Sequence, residues 1–117
     1  MKFHFRISVL LTLLIFVTNT FPLTAEELLR QCTINPNGYC LGYITGLYDG
    51  WTTSNIQEIL KEQNCPPSDS SGLKLAVSNV QMVWVFMKWA TDHPESLYLQ
   101  DWQSVSEAFA KAWPCPH

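Results

Sequence analysis

Histidine, basic charge, paired cysteine motifs and strand-like alternation are all scarce in this 117-residue chain. Seven Lys and Arg face ten Asp and Glu, for a net charge of −3. That balance argues against nucleic acid and against anionic membrane surfaces as partners. Only three histidines occur, His4, His93 and His117. His117 is the last residue, and His93 stands between Asp92 and Pro94 in a loop, where it reads as a capping or surface side chain. A catalytic triad needs a nucleophile, a base and an orienting group, and no such set can be assembled. Glu26–Glu27 and Glu58–Glu62 read as helix-start and solvent-face charges. No C-x-x-C occurs, which removes the thioredoxin-like redox motif and the common zinc patterns. No stretch alternates with period two for long, so no strand is expected to carry a glycine-rich phosphate loop. The sequence therefore predicts no enzyme, no cofactor and no metal site.

The first 25 residues differ from the rest. Lys2 and Arg6 precede "ISVLLTLLIFV", an apolar run of 11 residues. A spanning helix needs about 20 residues. A basic start, a short apolar core and a small residue at the break describe a secretory signal peptide, with Leu23 and Ala25 as the −3 and −1 positions. There is no lipobox cysteine at the break. Removal of residues 1–25 would leave 26–117, with five basic and ten acidic residues.

All four cysteines, Cys32, Cys40, Cys65 and Cys115, follow that break. An even count in a small exported domain predicts two disulfides. Three pairings are possible. The favoured one joins Cys32 to Cys40 around "TINPNGY" and Cys65 to Cys115, tying the C-terminus to "NCPPSDSSG". The second closes a long loop, worth roughly 3–4 kcal/mol in the chain-entropy model.

Apolar spacing predicts an all-α fold, a small bundle of about five helices braced by the two disulfides. Thr24-Ala-Glu-Glu27 resembles a capping box opening a first helix near Ala25. "NPNG" at 35–38 is a turn, and a glycine-bearing helix follows to about Gly50. Ile56, Ile59 and Leu60 make one face of a third helix ending near Gln63. The longest helix is expected over 72–91. Leu73, Ala76, Val77, Val80, Val83, Trp84 and Met87 form one stripe on it, and Leu75, Met82, Phe86 and Trp89 a second. So wide an apolar arc predicts packing on two sides. Pro94 stops that helix, and a last one is expected over 101–113, with Trp102, Val105, Phe109 and Ala112 on one face.

In "GYCLGYITGLYDG" a glycine recurs every fourth residue. Gly38 suits a turn and Gly50 a C-cap, which leaves Gly42 and Gly46 inside the helix. Glycines four apart let another helix approach closely. Two uses stay open: a groove for the long Val/Trp/Phe helix, or a seam between two copies. Five tryptophans and four tyrosines exceed what so small a core hides, which points to a protein-binding surface.

"CLGYITGLYDG" (40–50), "HPE" (93–95) and "AFAKAWPC" (108–115), in this order after a signal peptide and Cys32, resemble the Rap/Tai family of immunity proteins. The resemblance implies a periplasmic, helical, commonly dimeric immunity domain over 26–117. Its partner would be a cognate peptidoglycan cysteine amidase delivered by the type VI secretion system. It would block the amidase cleft by inserting a loop, protecting the producing cell from self or kin intoxication. In this chain the candidate loop is Asp92, His93, Pro94, Glu95, Ser96, Leu97 and Tyr98, stiffened by proline and therefore cheap to order. The same "HPE" could serve only to cap a helix. A second candidate is "PPSDSSG" at 66–72. The alternative function is a small periplasmic acid-stress chaperone that holds unfolded clients, though few histidines are present to sense pH.

Overall fold

The computed structural model describes residues 23–53, 64–67 and 77–116. They contain four α-helices: α1 (Ala25–Ile34), α2 (Tyr39–Thr53), α3 (Asn79–Asp92) and α4 (Asp101–Ala112). A short 3-10 turn, Pro94–Ser96, lies between α3 and α4. The expected count of about five is thus four among the described residues. The helix anticipated over 56–63 lies outside them.

Local chemistry explains each boundary. Thr24 is extended and its Oγ1 accepts the Glu27 N–H at 3.3 Å, capping α1. The other half of the expected capping box does not form. The Glu27 carboxylate turns forward instead, to Arg30 Nε at 2.8 Å and Gln31 Nε2 at 3.0 Å. Asn35 ends α1 and starts the predicted turn. Its carbonyl accepts the Gly38 N–H at 3.2 Å, and its Oδ1 accepts the Asn37 N–H at 3.2 Å. A Cβ on Gly38 would stand 2.7 Å from the Asn35 side-chain amide, so a larger residue here would have to displace that side chain.

Two expected limits move. The glycine-bearing helix runs on to Thr53, so Gly50 is helical and not a C-cap. The long helix begins at Asn79, where the Ser78 hydroxyl accepts the Gln81 N–H at 3.2 Å. Ser and Asn side chains favour caps over helix interiors, and here Ser78 opens the helix inside the expected span.

One core joins the helices. α1 contributes Leu28 and Cys32, and α2 contributes Cys40, Ile44, Tyr48 and Trp51. From α3 come Met82, Val83, Phe86, Trp89 and Ala90, and from α4 Val105, Ala108 and Phe109. Phe109 sits among aromatic rings: Tyr48 at 6.2 Å and Trp51 at 6.3 Å, both edge-on, and Trp113 at 5.3 Å. Burying each large side chain contributes about 1.5–3 kcal/mol.

Both favoured disulfides form, Cys32–Cys40 and Cys65–Cys115. The first is buried in the core between α1 and α2. The second fastens residues 64–67 to the end of α4, beside a Cys65 N–H bond to the Trp113 carbonyl at 2.8 Å.

Residues 23–26 are strapped to the approach of α4. Ala25 N–H donates to the Leu99 carbonyl at 2.8 Å and Glu26 N–H to Leu97 at 3.1 Å. Asp101 N–H donates to the Leu23 carbonyl at 3.0 Å, and Ala25 is fully buried. Residues 23–25 are therefore part of the folded body.

Candidate functional site

The loop after α3 is built by its own short-range chemistry. His93 caps the end of α3, and Pro94 opens the 3-10 turn. The Ser96 N–H closes that turn on the His93 carbonyl at 3.0 Å. The His93 ring lies 5.1 Å from the Trp89 ring, and its Nδ1 meets Glu95 Oε1 at 2.9 Å. This contact, with a backbone bond to Glu95 itself, lowers the Glu95 carboxyl from its ordinary value. Lys88 Nζ donates to Asp92 Oδ2 at 2.7 Å. The carbonyls of Leu97 and Leu99 are held by α1, so the loop's C-terminal half is fixed from below. "HPE" thus does cap and turn the chain, while leaving Asp92, Pro94, Glu95 and Tyr98 at the surface. Tyr98 is the most open of them, at 79% exposure.

Of the seven loop residues picked from sequence, Leu97 packs against the core and Ser96 is half-buried. Asp92 and His93 also line a pocket that the loop does not otherwise reach. This pocket has a volume of about 350 Å³ and lies between the C-terminal halves of α3 and α4. Its walls are Trp84, Val85, Lys88 and Trp89 from α3, and Ala108, Lys111 and Ala112 from α4. Sequence reading missed these pocket residues. The available signal was Val80, Trp84 and Lys88 at four-residue spacing, an apolar line that a lysine interrupts. The sequence places Val80 and Trp84 in the first of two packed stripes, and Lys88 outside both. The structure corrects this: Val80 is 45% exposed and Trp84 56% exposed, while the other side of α3 is buried.

Of the two uses open for the glycine stripe, the described residues bear on the groove alone. Gly42 and Gly46 do not receive α3. Both are exposed, and no described atom lies within 4 Å of a Cβ added at either. Cys40, Ile44, Tyr48 and Trp51 turn inward on α2, and residues two positions away fall on the opposite side of a helix. Beside this stripe Tyr39 and Tyr43 stack at 5.6 Å. The Tyr43 hydroxyl is raised well above its ordinary value, by burial first and then by its hydrogen bond to the Asp101 carboxylate.

Of the second candidate loop, only Pro66 and Pro67 fall within the described residues. Among the described residues no group of three His, Cys, Asp or Glu could hold a metal, and no helix is long and apolar enough to cross a membrane.

Fold and surface together define a disulfide-braced helical domain whose open features, a stiff acidic-aromatic loop and an aromatic pocket, suit contact with another molecule. The family model for Rap1a immunity proteins matches residues 24–115. The chain belongs to the Rap1a immunity protein family. No curated protein and no solved structure gives a significant match.

Proposed function

We propose that the chain is an exported immunity protein that binds a peptidoglycan cysteine amidase delivered by the type VI secretion system and blocks its cleft. The match to the Rap1a family over nearly the whole described body carries this reading. Loop 92–98 is the blocking element. Its turn is already formed, so little conformational entropy is lost on insertion. Asp92 and Glu95 are engaged within the chain, but both pairs are exposed. Exposed pairs contribute little, so exchanging Lys88 or His93 for a basic group on the amidase costs little. The inhibition is steric and requires no chemistry from this chain.

Export through an N-terminal signal peptide places the protein in the periplasm, where the two disulfides are stable. The processing boundary belongs ahead of Leu23, not after Ala25. A cut after Ala25 would remove the Thr24 cap, the Leu23 carbonyl bonded to Asp101, and the buried Ala25 itself. Intact mass of the periplasmic protein tests this boundary, and a mature chain beginning at Glu26 refutes it. The resemblance also implies a homodimer, which light scattering of the mature protein measures.

The functional test uses a purified cysteine amidase encoded beside this chain. Wild-type protein is expected to inhibit peptidoglycan cleavage. Replacing residues 92–97 by a Gly/Ser loop is expected to abolish inhibition while the helical spectrum persists. Undiminished inhibition by the folded loop variant sinks the assignment of the loop.

A further inference from the structure

The pocket between α3 and α4 has a chemistry that the loop alone does not account for. Its floor is apolar: Trp89 and Ala108 are buried, and the small alanines of α4 leave the space open. Trp84 stands at the wall with more than half its surface exposed, although it occupies the middle of a helix. The rim carries two amines, Lys88 and Lys111. Arg30, Lys88 and Lys111 are the basic residues within the described segments, so two of the three stand at this one pocket. They do so on a chain whose net charge is −3.

The two amines differ. Lys88 is held by Asp92 at 2.7 Å, whereas Lys111 has no acidic partner among the described residues. Among the described residues the only other titratable side chain lining the pocket is His93, which contacts Glu95. Among the described residues the unmatched charge is therefore the Lys111 ammonium, at the edge of an aromatic floor. The volume is at the small end of ligand pockets, enough for one large side chain and its immediate neighbours. A large apolar ring fits the floor, and a carboxylate beside it answers Lys111.

We infer that this pocket is a docking site for a large apolar or aromatic side chain flanked by a carboxylate, presented by the partner amidase. This rests on the immunity reading above and extends it. Asp92 and His93 belong both to the pocket and to the blocking loop, so a partner seated on the loop covers the pocket in the same contact. The acidic loop and the lysine-edged pocket ask for opposite charges next to each other on the partner. That alternation sets register and rejects wrongly charged partners.

Two blocked dipeptides, N-acetyl-Phe-Glu-amide and N-acetyl-Phe-Lys-amide, test the pocket on the mature protein without any amidase. The readout is the indole N–H resonances of Trp84 and Trp89. Saturable shifts are expected with the Phe-Glu probe in the millimolar range, and binding about tenfold weaker with Phe-Lys. Lys111→Glu should invert that preference, and Gly42→Ala should leave it unchanged. Equal responses to both dipeptides, or no saturation with either, overturn the proposal. A change in the chain's own self-association on Trp84→Ala would also overturn it, since a second copy would then be the occupant. With the amidase, Lys111→Glu is expected to weaken binding about tenfold. An unchanged affinity removes the pocket from the interface and leaves the loop standing. If wild-type protein selects the Phe-Glu probe yet fails to inhibit the amidase, the amidase is not the partner and the pocket chemistry remains.

Discussion

On α3 one side carries Met82, Val83, Phe86 and Ala90, all essentially without exposure, and the other carries Val80 and Trp84, both about half open. Hydropathy alone does not separate these two sides; Val80 is as apolar as Val83, and Trp84 is a large aromatic like the buried Trp89. What separates them is whether another helix lies opposite. α1, α2 and α4 all contact α3, and its buried side chains belong to the one core that these helices share. Beside Trp84 a pocket opens between the alanines of α4 and the tryptophans of α3. An apolar side without an internal partner is a surface for an external one, and at this pocket Lys111 states what charge that partner should carry.

The contrast is sharpest in mutants that treat the two sides alike. Phe86→Ala, at the buried side, should cost about 3–5 kcal/mol, read from urea unfolding. Trp84→Ala, at the open side, should cost under about 1 kcal/mol in the same measurement. If Trp84→Ala proves as damaging as Phe86→Ala, the two sides are equivalent and the pocket is part of the core. The next largest effect is expected at the Cys65–Cys115 bridge, whose 50-residue separation closes a long loop. Replacing both cysteines by alanine should cost about 4 kcal/mol in the chain-entropy model. The eight-residue separation of Cys32–Cys40 predicts about 2.5 kcal/mol from entropy alone. Both of its sulfurs lie in the core, so their loss adds a packing defect.

A second open surface gives a smaller effect of opposite sign. Gly42→Ala and Gly46→Ala should each stabilise the isolated protein by about 0.5–1 kcal/mol, because an added methyl meets nothing on that side of α2. A rise in Tm with unchanged light scattering indicates that the stripe is plain solvent surface. A rise in Tm with loss of the dimer locates the seam there. The smallest effect concerns Glu27, which the Arg30 guanidinium and then the Gln31 amide hold down to about 2. A carboxyl lowered on folding stabilises the native state above its unfolded value of about 4.5 and ceases to do so as pH falls towards 2. Glu27→Gln should therefore flatten the acid limb of a Tm-versus-pH curve between those limits.

Much of this architecture is readable without coordinates. Thr24 and the acidic pair after it mark the start of α1, "NPNG" marks the turn that Gly38 closes, and Pro94 marks the end of α3. Each is a local signal, satisfied by residues within four positions of one another, so neighbouring sequence contains all the physics needed. The cysteine pairing was legible for a related reason: one pair spans a single tight turn, and the other then follows. The candidate loop was legible as a break with proline and carboxylates. The strap that fixes it was not, because the Leu97 and Leu99 carbonyls meet donors at Glu26 and Ala25, some seventy residues earlier.

Composition and spacing by themselves determined the helical class, most helix starts and stops, the two disulfides and the acidic character, since each depends on propensity, capping or counting. Only tertiary structure decided which side of α2 faces outward, which side of α3 is covered, and that Trp84 and Lys111 share a pocket. Periodicity reports that a helix has an apolar side, but whether that side is covered depends on the direction in which distant helices cross it.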